Sequence, residues 1–156
     1  MKKNIENEFV SLVRQNERII YKVCSLYASP QSPVEDLYQE IVINLWRAWP
    51  RFRNESAFST WIYRIAINTC ISFMRKENKR PRNVPLTEIP DSPADGTDEQ
   101  MATMYRFIGM LNKMDKAVIL LYLEDKSYQE IAEITGLTPG NVAVRLNRIK
   151  NRMKTS

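Results

Sequence analysis

The sequence contains no histidine. That removes imidazole-dependent catalytic triads, zinc sites built on His, and the side chain that titrates nearest neutral pH. Cysteine is almost as scarce. Cys24 and Cys70 lie 46 positions apart, each inside an apolar helical pattern with no ligand-type neighbour, so they read as buried reduced thiols rather than a disulfide or metal pair. Long hydrophobic runs are missing too: the longest, Ala117 to Leu123, has seven residues, against the roughly 18 a membrane-crossing helix needs. Glu6 and Glu8 interrupt the apolar region that should follow Met1-Lys2-Lys3 in a signal peptide. These absences predict a cytoplasmic protein with no membrane insertion, no metal and no cofactor. No stretch alternates with period two, so no sheet is predicted.

What is present fits one or two small domains. The chain has 156 residues, 44% hydrophobic and 26% charged, which is enough apolar material for modest cores. Four prolines (Pro81, Pro85, Pro90, Pro93) and Gly96 crowd into 78–97, marking an acidic, Pro-rich linker between domains at 1–77 and 98–156. Charge is unevenly placed. The net values are +2 over 1–74, +4 over 75–82, −6 over 83–135 and +5 over 136–156, so two basic clusters flank an acidic middle. Such blocks point to two separate contacts with a polyanion, although basic residues also favour helix C-termini.

Apolar residues from Ile5 to Tyr27 recur at three and four, predicting one amphipathic helix that ends before Ser29-Pro30. Ser32, Pro33 and Glu35 predict a capping-box start for a second helix, with the stripe Val34, Leu37, Ile41, Leu45 and Trp49. Pro50 forces a break. A third helix is predicted over about 57–78 on Phe58, Trp61, Ile62, Ile65, Ala66 and Phe73. The second piece carries a helix through Met101, Tyr105, Ile108 and Leu111, and another over 116–123 capped by Asp115. A capping box, Ser127-x-x-Glu130, then opens a short helix that Gly136 ends, and Thr138-Pro139 begin a last helix on Val142, Leu146, Ile149 and Met153. Short helix, glycine turn and longer basic helix make a helix-turn-helix. The expected fold is therefore all-α, two small helical domains joined by a flexible linker.

In that motif Thr138, Asn141, Val144, Arg145 and Arg148 are the candidates for contacting duplex DNA, with Lys150, Arg152 and Lys154 behind them. Asp36-Leu37-Tyr38-Gln39-Glu40, Leu45-Trp46-Arg47-Ala48 and the run Phe58 to Asn68 resemble region 2 of extracytoplasmic-function sigma factors. Ser127 to Ala132 followed by Val142 to Arg148 resembles their region 4, and the matches keep the family's order and spacing. The resemblance implies a subunit of bacterial core RNA polymerase that recognises promoters and opens them. It also implies an anti-sigma protein as inhibitor and no catalytic activity. Ala143 and Val144 stand where relatives commonly carry Lys and Ser, and Ile67 where they are often polar.

Two further surfaces follow. Asp36, Gln39, Glu40, Ile43 and Asn44 share one helix face, an aliphatic centre with a polar rim, and form the candidate polymerase contact. For the melted non-template strand of the downstream promoter element, Thr60, Arg64, Asn68 and Arg75 are expected to form a ridge along the third helix. Arg53, Asn54, Glu55 and Ser56 are expected to rim a base pocket, and Trp61 fits either core or stacking platform. The competing reading is a helix-turn-helix repressor or activator acting on duplex DNA alone. An enzyme would need a carboxylate cluster on a structured face, whereas the densest acids fall in the linker.

Overall fold

The computed structural model describes residues 2–52, 58–78 and 99–155. The chain divides into two compact units, Met1–Val84 and Pro85–Ser156. Among the described residues every regular element is helical, as the apolar spacing predicts. The segment read as a linker lies outside the described residues apart from Asn78.

The N-terminal unit holds α1 (Lys2–Gln15), α2 (Glu17–Tyr27), α3 (Val34–Ala48), a 3-10 turn (Trp49–Arg51) and α4 (Phe58–Asn78). The single first helix expected from periodicity is two helices, and Asn16 breaks it. Its Nδ2 donates to the Leu12 carbonyl at 2.8 Å, so its backbone N–H turns instead to Val13 at 3.1 Å. An amide side chain has taken the acceptor that the helix backbone would use. The expected capping box of α3 is also absent. Ser32 is buried, exchanges backbone hydrogen bonds with Ser29 at 3.0 Å and also donates its N–H to the Ser29 hydroxyl. Pro33 falls at the N-cap, without a side-chain cap, and the helix begins one residue later than expected.

α4 is the centre of this unit. It buries Thr60, Ile62, Tyr63, Ala66, Ile67, Thr69 and Cys70. At about 100° per residue these positions span roughly half the helix circumference, because α4 packs against both α2 and α3. Ile67 is thus a core residue, which accounts for an aliphatic side chain there. Each large aliphatic buried in this way contributes about 1.5–3 kcal/mol. Cys24 and Cys70 are free thiols at the α2–α4 contact, both fully buried. Their mutual hydrogen bond and then burial hold the Cys70 thiol far above the usual thiol range.

The C-terminal unit holds α5 (Glu99–Gly109), α6 (Lys113–Leu123), α7 (Tyr128–Thr135) and α8 (Pro139–Thr155). Asn112, rather than Asp115, caps α6: its side-chain oxygen accepts the Asp115 N–H at 2.8 Å. Ala117 to Leu121 are buried consecutively, so α6 is the interior helix, and α7 and α8 pack on it. The predicted box on α7 is present. Ser127 Oγ accepts from Glu130 N at 3.1 Å and Ser127 N donates to Glu130 Oε1 at 3.2 Å. Gly136 ends the helix in the left-handed region at φ 82°, where a side chain would be strained. Val142, Leu146 and Ile149 seat α8, while Met153, expected to continue that stripe, is exposed.

Ser127→Ala removes one half of the box and leaves the Glu130 N–H without its cap. It is expected to lower unfolding stability by about 1 kcal/mol with an unchanged denaturant slope, measured by urea titration followed by circular dichroism.

Candidate functional site

The side of α4 opposite its core presents Arg64 and Asn68, with Trp61 at the same angular position two turns back. Thr60 does not join them. It is 2% exposed, turned toward the core edge of a helix whose buried arc is wider than a single stripe. The expected ridge is therefore narrower by one residue. The Arg75 side chain, and all of Arg53, Asn54, Glu55 and Ser56, lie outside the described residues.

The geometry on either side of that segment is informative. Phe52 and Phe58, which flank it, meet edge to face with ring centroids 5.5 Å apart. Trp61 lies 4.9 Å from Phe52 and 5.5 Å from Phe58, and Trp49 stacks on Phe52 at 6.0 Å. Four rings, from the 3-10 turn, the residue after it and the start of α4, thus bring Phe52 and Phe58 together on either side of 53–57. Pairs at these separations contribute about 0.5–1.5 kcal/mol beyond burial of their area. Trp61 belongs to this cluster yet stays half-buried, so it keeps an accessible edge.

On α3, Asp36 and Gln39 are exposed, Glu40 is half-buried, and Ile43 is 44% exposed at the middle of their face. Asn44 turns away from that face: its Nδ2 donates to Thr69 Oγ1 at 2.9 Å, and Thr69 donates onward to the Ile65 carbonyl at 2.6 Å. It ties α3 to α4. The sequence reading missed what lies on the other flank of Ile43. Glu6, Phe9, Val10, Val42, Ile43, Trp46 and Arg47 line an apolar groove of about 510 Å³ between α1 and α3. Phe9 sits edge to face on Trp46 at 5.0 Å, and Trp46 remains 42% exposed. The spacing Ile43, Trp46, Arg47 carries the signal, but assigning Ile5 and Phe9 to a core stripe hides it.

In the C-terminal unit Thr138 starts α8, its Oγ1 accepting the Asn141 N–H at 3.1 Å. Val144, 58% exposed, stands opposite the buried stripe of Val142, Leu146 and Ile149, with exposed Asn141 and Arg148 beside it. Arg145 is different. Its guanidinium donates to Asp115 Oδ1 at 2.9 Å and its Nε to Asn141 Oδ1 at 2.9 Å. Lys150 reaches back to the Tyr122 hydroxyl at 3.1 Å and lies 4.4 Å from the centre of that ring. Arg145, expected to face outward, and Lys150, expected behind it, therefore both pack on α6. The local pattern around Asp115 points to a cap, and nothing in it signals a partner thirty residues on.

A C-terminal helix-turn-helix with an outward helix of amide, aliphatic and basic groups has the form of a DNA-binding transcription protein, and the N-terminal helical unit adds an exposed acidic and apolar face. The family models agree: Sigma-70 region 2 matches residues 12–80 and Sigma-70 region 4 matches 102–153. The ECF RNA polymerase sigma-E factor of Escherichia coli K12 is 32% identical over 151 residues, covering 85% of this chain and 79% of that protein. The Haemophilus influenzae sigma-E factor is 27% identical over 162 residues, covering 94% and 85%. The fold matches the sigma factor RpoE of Bartonella quintana, solved with the anti-sigma factor NepR, at a TM-score of 0.81 and 22% identity over 95% of both chains. It also matches CnrH, solved with the cytosolic domain of CnrY, at a TM-score of 0.67 and 21% identity over 96% and 87%.

The chain belongs to the ECF RNA polymerase sigma factors of the sigma-70 family. Its role is thus that of an initiation factor, and the duplex-only repressor reading falls away. Among the described residues no helix is long and apolar enough to cross a membrane.

Proposed function

We propose that the two units divide the work of promoter use as their surfaces suggest, in a protein that acts in the cytoplasm without catalysing a reaction. Asp36, Gln39, Glu40 and Ile43 on α3 contact bacterial core RNA polymerase, where the polar groups steer association and Ile43 supplies a desolvated centre. Trp61, Arg64 and Asn68 on α4, with Arg53, Asn54, Glu55, Ser56 and Arg75, contact the melted non-template strand of the downstream element. Thr138, Asn141, Val144 and Arg148 on α8 contact the duplex upstream element. The observation that carries this reading is Val144 at the centre of an outward face otherwise made of amide and basic groups. An exposed aliphatic among hydrogen-bonding groups matches a major-groove edge, where a thymine methyl lies among base acceptors. The complex of the Bartonella quintana relative with the anti-sigma factor NepR, and that of CnrH with the cytosolic domain of CnrY, support a proteinaceous inhibitor for this chain as well. The exposed Ile43, Trp46 and Val10 are suited to cover by such a partner.

Purified chain mixed with bacterial core polymerase and genomic DNA is expected to yield run-off transcripts whose mapped 5′ ends share two upstream sequence elements. Core alone should yield none of these ends, and identical ends with and without the chain would refute the assignment.

The double variant Asp36→Lys/Glu40→Lys is expected to weaken core binding at least tenfold in a pull-down titration while leaving helical content unchanged. Asn44→Ala is expected to do the reverse, losing about 1 kcal/mol of stability for its bond to Thr69 with core affinity kept.

Asn54→Ala/Arg64→Ala is expected to leave core binding intact and to reduce permanganate reactivity of the opened promoter. A pre-melted bubble template should partly rescue it, because the cost of unpairing, a few kcal/mol, has been met in advance. Normal opening on closed duplex by this variant would remove both residues from the downstream contact.

A further inference from the structure

Arg145 is one of two arginines of α8, with Arg148, that the sequence pattern offers for DNA contact, and the structure gives it other partners. At about 100° per residue it projects sideways, between the buried stripe and the outward face on which Val144 stands. Its side chain is 22% exposed, and its partner Asp115, on α6, only 10%. Asp115 is one of the few charged or polar residues buried in either unit. A carboxylate in that position is costly unless a cation and hydrogen bonds satisfy it, so removing Arg145 from Asp115 in order to reach DNA would leave a buried charge unpaired.

The guanidinium makes a second bond, from Nε to the side chain of Asn141. Arginine can only donate, so the Asn141 atom facing it is the carbonyl oxygen, and the amide orientation is settled by chemistry. The planar amide therefore carries its NH₂ on the side away from Nε. Asn141 itself is exposed in the first turn of α8, where its backbone N–H is already held by Thr138. One residue of α6 thereby fixes, through one arginine, the direction in which an exposed amide can donate.

We propose that Asp115 and Arg145 are positioning residues for upstream-element recognition. The chain Asp115–Arg145–Asn141 holds Asn141 as a donor to an acceptor on a base edge, a purine N7 or O6 or a thymine O4, in the major groove. This rests on the reading of α8 as the duplex-contacting helix. Arg145 itself touches neither base nor phosphate, and Arg148 supplies the arginine contact of this helix. A fork of N–H groups in one plane is required to serve both partners at once, so lysine cannot replace it.

The test uses the full chain assembled with bacterial core polymerase, and duplexes enriched from a random-sequence pool by the wild-type holoenzyme. Affinity is then measured across single base-pair substitutions and across salt. Asp115→Asn, Arg145→Lys and Asn141→Ala should each relax discrimination at the same base pair, by about tenfold, while the other positions of the site keep theirs. The salt slope should stay at the wild-type value in all three, because no phosphate contact is lost. Asp115→Asn/Arg145→Lys should discriminate no worse than either single variant, since both break one chain. Thermal melting of each variant separates loss of fold from loss of reading; should Asp115→Asn melt before assay, Arg145→Lys and Asn141→Ala carry the comparison alone.

If Arg145 instead reads DNA, Asp115→Asn frees it and binding holds or tightens, while Arg145→Ala lowers the salt slope by about one or relaxes a base pair different from that of Asn141→Ala. Either result overturns the proposal and leaves α8 as the recognition helix. A wild-type holoenzyme that enriches no duplex sequence overturns the reading of α8, and the proposal with it.

Discussion

The N-terminal unit depends on the burial of α4 against two helices at once. A helix packed on one neighbour hides a stripe and leaves most of its circumference to solvent, whereas α4 hides about half. Arg64, Asn68 and Trp61 lie outside that arc, with Ser72 further along the same face, and are held in fixed relation to the core. The same contact settles α3: Leu37, Ile41 and Leu45 face inward, and Asn44 is drawn to Thr69. Ile43 is then left outward, on the rim of the groove that α3 forms with α1. An exposed aliphatic on α3 is thus a geometric consequence of how α4 is packed, and it is the kind of spot a protein partner covers.

The C-terminal unit solves a different problem. α6 is buried nearly all round, so it has no face of its own to offer, and the polar groups along it must find partners inside the unit. Asp115 takes Arg145, and Tyr122 takes Lys150. Both partners come from α8. The basic residues of α8 are therefore split, Arg145 and Lys150 packed on α6 and Arg148 turned outward. Five basic residues and no acidic one after position 135 still give α8 a positive field, since a cation paired at one end keeps its neighbours' charge uncompensated.

Much of this organisation was legible before any coordinates. The all-α fold, the capping box at Ser127 and the glycine turn at Gly136 follow from short-range rules that the structure obeys. The errors have a common origin in competition for backbone groups. Asn16 and Ser32 were read as neutral members of a helix and as a cap, and each was engaged by a local hydrogen bond that spacing does not reveal. Thr60 falls off the expected ridge because the arc that α4 buries is turned by about a quarter of the circumference from the expected stripe of Phe58, Trp61, Ile62, Ile65, Ala66 and Phe73. Asp115 and Arg145 were unreadable as a pair, since their contact spans thirty residues and depends on how α6 and α8 cross. Long-range polar contacts of this kind leave no periodic trace. The aromatic clamp was half visible: Trp49, Phe52, Phe58 and Trp61 are close in sequence, but only the structure shows Phe52 and Phe58 meeting across the segment between them.

The division into two small units has an energetic consequence for recognition. A single helical module reading DNA buries about 600–1,000 Å² of protein surface, which by itself gives modest discrimination. Two such modules on one chain convert the second contact into an intramolecular event, so promoter affinity exceeds that of either contact without any new interaction, provided both elements are correctly spaced. Specificity then resides in the requirement for both, and neither surface needs to be strong. That is consistent with the faces proposed for these contacts, which hold Asn68 and Asn141, Arg64 and Arg148, Val144 and half-buried Trp61. A sigma factor assembled from weak readers can leave a promoter as readily as it finds one, because losing either contact returns the other to its own modest affinity. On the proposed reading, the part-buried bonds between Asn44 and Thr69, and between Asp115 and Arg145, hold the elements that carry these residues in place, so that little affinity is spent on ordering them.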